Sequence, residues 1–202
     1  MPVFSPDFVP PPLTDRPLVS DVPDDESVEY TPSFDAWFEA SRAYWEAGQA
    51  LMARAQARSA TSARFLPAAL FVVRHSVELH LKSIILDSES ALGAPLSDNE
   101  RKLFHGHSLT SLWQLLQRRL ERLGARDQSP RWARTAALVE QLGRLDHSSF
   151  EFRYPETKSG TATSSTSGIR INLVQFTEVL AELHFMLHAT SAWIAELPGK
   201  DV

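Results

Sequence analysis

The chain contains no cysteine. A disulfide framework and a thiolate zinc site are therefore both excluded. It has no run of about 18 apolar residues, so no membrane-spanning helix is expected. Its first residues lack the basic stretch and apolar core of a secretory leader, which makes the cytoplasm the expected compartment. Lysine is scarce, at 4 against 16 arginines. Glycine is sparse too, with 8 residues and no GxxxxGK[ST] arrangement, so a P-loop is not expected, even in the Ser/Thr/Gly-rich stretch 158–168. There is no internal repeat and no convincing pair of alternating strands.

What remains is 202 residues with 43% hydrophobic content, enough for one domain with its own core. The net charge of −5 is uneven. Residues 1–33 hold seven acidic groups and one basic group, Arg16, together with eight of the 13 prolines. That composition predicts an extended or disordered arm. From Arg101 to Arg134 eight basic residues face Glu121 and Asp127, a local excess of +6. Such an excess suits an anionic partner despite the acidic total.

Hydrophobic spacing predicts five helices. Phe34, Trp37, Phe38, Ser41, Tyr44, Trp45, Gly48, Leu51 and Met52 alternate by three and four. They form one bundle-facing stripe, capped by Ser33 or Asp35, with Ser41 and Gly48 small enough for a close neighbour. A second helix runs from about Ser62 to Asp87, with Pro67 in its first turns. Ser88–Ser97, with Gly93 and Pro95, predicts a loop. The third helix follows His107 and stops at Gly124. The fourth runs from Ser129 or Pro130 to Leu145, and the fifth from Leu173 to Leu197. The fold class is all-α: a five-helix antiparallel bundle over 34–197, with an extended proline-rich arm before it and a tail at 198–202.

The second helix is chemically unusual. Between apolar turns it carries Arg74, His75, Glu78, His80 and Lys82. Buried charges need partners. Arg74, Glu78 and Lys82 are spaced by four and form an alternating-sign stripe. Further on lie His105-Gly106-His107-Ser108-Leu109 at a helix start, and Phe152-Arg153-Tyr154-Pro155 after the fourth helix.

Taken in order, Glu78/Lys82, His107/Leu109 and Arg153/Tyr154/Pro155 resemble the HEPN superfamily of helical domains. The resemblance covers roughly residues 34–197. It implies an α-helical bundle that forms a homodimer and binds RNA or a nucleotide. It also implies a protein partner such as a nucleotidyltransferase, in a toxin–antitoxin or defence setting. No cofactor is expected. Catalytic members are metal-independent ribonucleases with an Arg, a polar residue, four residues and a His. Arg74, His75 and His80 satisfy that string. In such a site Arg74 would hold phosphate and His80 would act as general acid or base, with His75 beside them.

The same residues have a structural alternative. Positions 74 and 80 lie about 120° apart on an ideal helix, so they do not share a face. The string also sits on an early helix, where the family carries it on a late one. The sequence therefore favours a non-catalytic binding module in which Glu78, Lys82 and His107 join Arg74 in a polar network. Arg153 and Tyr154, beside the connector, and Arg118 and Arg122, spaced by four on the third helix, are the candidate phosphate or RNA contacts. His184 and His188 have a spacing that can bind metal, but no HExxH surrounds them, and no metal site is expected.

Overall fold

A computed structural model describes residues 35–57, 62–125, 129–146, 149, 152–153 and 171–197. The expected arm, the 158–168 loop, Tyr154 and the tail lie outside the described residues. Among those described, every regular element is helical. There are six α-helices where hydrophobic spacing predicts five: α1 (Ala36–Gln56), α2 (Leu66–Leu92), α3 (Asp98–His105), α4 (Leu109–Arg122), α5 (Pro130–Leu145) and α6 (Leu173–Ala195). A 3-10 turn, Ser62–Phe65, leads into α2.

Local chemistry sets most boundaries. Pro67 occupies the first turn of α2, where its missing amide hydrogen has no intrahelical partner to lose. The side chains of Ser108, Ser129 and Asn172 accept the backbone amides of Ser111, Trp132 and Gln175, and so cap α4, α5 and α6. Gly124, at φ +88°, closes the turn after α4, with its amide bonded to the Glu121 carbonyl.

Two corrections concern the stretch predicted as loop and the residues just after it. Helix α2 continues through Ser88 to Leu92 and ends at Gly93, which takes the left-handed conformation at φ +56°. Pro95 then leads to α3, which begins with a reciprocal capping box: Glu100 Oε2 accepts the Ser97 amide at 2.9 Å and Ser97 Oγ accepts the Glu100 amide.

The extra helix changes the topology. Along the α1–α2 contact, Phe38 meets His80 and Tyr44 meets His75, so the two run antiparallel. Between α2 and α4, Arg74 reaches His107 and Ser88 reaches Arg119, so these two run parallel. In an up-and-down bundle of five they would be antiparallel neighbours. Helix α3 supplies the return leg that makes them parallel.

Helix α2 is the axis of the fold and packs against α1, α4 and α6. Every residue from Ser76 to Ile85 is buried, on all sides of the helix. Leu81, Ile84 and Ile85 are fully enclosed and meet a core that includes Leu109, Leu112, Leu116, Leu183 and Leu187. Arg74, Glu78, His80 and Lys82 therefore lie inside the protein. No helix among the described residues is long and apolar enough to cross a membrane.

Candidate functional site

Arg74 is wholly buried, and each of its guanidinium nitrogens is used. Nη1 donates to Glu78 Oε2 at 2.7 Å, Nε donates to the Asp146 carbonyl at 3.0 Å, and Nη2 donates to the His107 carbonyl. The Asp146 carboxylate lies 3.7 Å from Nε, at the C-terminal end of α5. Glu78 is the hub. Its other oxygen accepts from Lys82 Nζ at 2.9 Å and lies 2.8 Å from His107 Nδ1. Burial pushes the Glu78 carboxyl up, but hydrogen bonds from Lys82 and His107, the Lys82 charge and the Arg74 hydrogen bond outweigh it and hold the group below the usual carboxylate range. Lys82 also sits 5.6 Å from the Trp37 ring centre and 5.8 Å from that of Phe104, an aromatic surround for the ammonium. Of this network only the His107 side chain reaches solvent, at 55% exposure.

His80 faces elsewhere. Its ring is buried among Phe38 of α1 and His184, His188 and Ser191 of α6. Burial, then the charges of His188 and His184, lower its pKa to about 3, so it is a neutral imidazole at physiological pH. Arg74 binds the α4 start and the α5 end, whereas His80 binds α1 and α6. They share no partner among the described residues. His75 is half-buried between Tyr44, 4.7 Å away edge-on, and Phe71, stacked at 5.7 Å. Burial leads the causes that lower its pKa.

The remaining sequence candidates are dispersed. Arg118 and Arg122 are exposed on α4. Arg153 is exposed, donates to the Ser149 carbonyl and lies 5.5 Å from the centre of the Phe71 ring. None of the described contacts joins it to Arg118 or Arg122.

Two buried charged residues escaped the sequence reading. Arg119, beside the expected arginine row, is fully enclosed: Nε donates to Ser88 Oγ at 2.9 Å, Nη2 to the Ala94 carbonyl at 2.7 Å, and Nη1 reaches Glu100 Oε1 at 3.4 Å. It fixes α4 to the turn after α2. Asp146 is the other. Both had a signal, since each continues an apolar stripe: Arg119 follows Leu112, Leu115 and Leu116 at helical spacing, and Asp146 follows Leu142 by four.

A cavity of about 680 Å³ is lined by none of these residues. It is an open groove between α4, α5 and α6, with Trp132 and Trp193 on its walls and Gln117, Glu121 and Thr190 as its polar groups. Comparison of the chain with family models, curated proteins and solved structures returns no match.

Proposed function

We propose that this chain is a non-catalytic, HEPN-like binding module for a nucleotide or a short single strand of RNA. The observation that carries the non-catalytic part is the closure of the charged helix. Arg74 is wholly buried, and its three guanidinium nitrogens each donate to Glu78, Asp146 or His107, so it presents no exposed donor to a phosphate. His80 is buried on another side of α2. A general acid and a phosphate clamp need a common substrate atom within reach, and this pair has no shared opening.

The groove supports the binding part. Its volume suits a nucleotide-sized ligand, and half-buried Trp132 and Trp193 offer faces for a base. Gln117 and Thr190 supply hydrogen-bonding groups. Arg118 and Arg122, exposed on α4 but not among the residues that line the groove, are the candidate phosphate contacts for a strand that extends beyond it. Self-association into a homodimer belongs to the same proposal, with Trp37, Tyr44, Val174 and Phe185 as the large apolar side chains left exposed on α1 and α6.

The test uses intrinsic tryptophan fluorescence with mononucleotides and anisotropy with a labelled single-stranded RNA, followed by a gel for cleavage of the same RNA. Quenching and binding without cleavage are expected. Trp193→Ala should abolish the quench, and Arg122→Ala should weaken binding and flatten its salt dependence. Cleavage that disappears in a folded His80 variant would establish the ribonuclease alternative. A groove that takes neither ligand but binds a polypeptide overturns the nucleotide reading.

A further inference from the structure

His184 and His188 lie one turn apart on α6, and the fold brings His80 of α2 to the same face. One ring nitrogen from each of the three lies within 4.8 Å of the others. We infer that His80, His184 and His188 form a three-histidine site for a divalent transition metal, with zinc as the best-suited ion.

Three observations support this. First, the chemistry of the donors is right. Neutral imidazole nitrogen is a preferred ligand for zinc, and a three-histidine set leaves a fourth position for water or another oxygen. Second, two ring nitrogens here are buried without a hydrogen-bond partner, Nδ1 of His80 and Nε2 of His184. A buried polar atom with no partner is costly, and coordination would satisfy it. Third, the surround is built to hold the rings. Trp45 stacks on His184 at 4.2 Å with planes 8° apart, and Phe38 packs edge-on against both His80 and His188. Ser191 Oγ lies 3.5 Å from His80 Nε2, on the face of α6 that carries His184 and His188, and is placed to orient that ring or to contact a bound water.

Tetrahedral zinc with nitrogen ligands at about 2.0–2.1 Å requires nitrogens about 3.4 Å apart. The trio must therefore contract by up to about 1.4 Å from its 4.8 Å limit, within the reach of small side-chain rotations on fixed helices. The ion would cross-link α2 to α6, at the heart of the bundle. This site is independent of the groove proposed for nucleotides.

The test takes the full chain without an affinity tag, stripped with a chelator. Zinc titration by calorimetry should show one site per chain. The melting temperature should rise by about 5–10 °C at zinc concentrations a hundredfold above Kd. Cobalt substitution should give the visible absorption of tetrahedral coordination. His188→Gln, at the least buried of the three rings, should leave the apo fold intact, weaken zinc at least about 100-fold and remove the cobalt spectrum. The proposal is overturned if folded wild-type protein binds no zinc, or if His188→Gln binds it as tightly as the parent, which would place the ion on other histidines such as His105 and His107.

Discussion

Gly48 of α1 lies so close to Val73 of α2 that a methyl group at Gly48 would come 2.6 Å from Val73 Cγ2. That separation is far inside van der Waals contact, and a valine side chain offers little freedom to retreat. Glycine at position 48 is what allows α1 to lie against the central helix.

Gly48→Ala should therefore destabilise the protein by about 1–3 kcal/mol through overpacking, despite the better helix propensity of alanine. Val73→Ala alone should also destabilise, by removing buried methyl groups. Combined, the two should cost less than the sum of the single changes, because the second removes the atom that the first strikes. Urea unfolding of the four proteins measures this coupling, and strict additivity would show that the contact relaxes in some other way.

A second prediction concerns Arg74. Burying an ion pair contributes little net stability, but removing one partner strands the other. Arg74→Ala leaves the Glu78 carboxylate with Lys82 and His107 only and removes the guanidinium donors to the Asp146 and His107 carbonyls. A loss of about 3–5 kcal/mol is expected. Arg74→Lys should recover little of it, since an ammonium cannot span three acceptors in a planar fork. Denaturant midpoints decide this. A variant at wild-type stability would mean the guanidinium is dispensable to the bundle.

Neighbouring arginines on α4 should behave in opposite ways. Arg119→Ala removes the buried donor to Ser88, Ala94 and Glu100 and should cost about 3 kcal/mol. Arg118→Ala alters an exposed side chain and should stay within about 0.5 kcal/mol. Thermal melts of the two variants side by side test the assignment of buried and exposed faces. Equal losses would contradict it.

These contrasts mark what the sequence could reveal. Starts of α4 and α5 were legible because Ser108 and Ser129 accept amides only three residues away, and that of α6 because its apolar stripe begins at Leu173, although its cap, Asn172, was not singled out. The i,i+4 spacing of Arg74, Glu78 and Lys82 likewise pointed to the ion pairs on α2, whose atoms lie within one turn of each other. Helix α3 was hidden because its eight residues bury only Phe104 and show no apolar period, although Ser97-Asp-Asn-Glu100 carries its capping signature. The rest depends on tertiary placement. Asp146 meets Arg74 across 72 residues, and Ser191 meets His80 across 111. No local pattern records which face of α2 looks toward α5 and which toward α6. That division put Arg74 and His80 in separate environments while their short string suggested a single site.

The last prediction is the pH dependence of the metal-free fold. His80 titrates near 3 in the folded protein and near 6.5 when unfolded, because burial leads and the neighbouring His188 and His184 charges add to it. Between those values the unfolded chain holds a proton that the folded chain does not. Stability therefore falls as pH decreases through this window, at up to about 1.4 kcal/mol per unit, and the effect levels off below about 3. His184, lowered to about 4 by burial and by the His188 and Arg42 charges, acts in the same direction. Phe38 and Ser191, which also face His80, do not titrate here. The carboxyls of Glu78 and Glu100 are held below their usual range, Glu78, despite its burial, by its hydrogen bonds from Lys82 and His107 and Glu100 by its hydrogen bond from the Ser97 backbone. In chelator, urea unfolding should thus show about 2 kcal/mol less stability at pH 5 than at pH 7 from His80 alone. His80→Phe, which keeps an aromatic ring among Phe38 and the α6 histidines, should reduce the slope over that interval and leave the part that His184 contributes. An unchanged slope in a folded His80→Phe protein would mean that the imidazole is not the group whose protonation opposes folding.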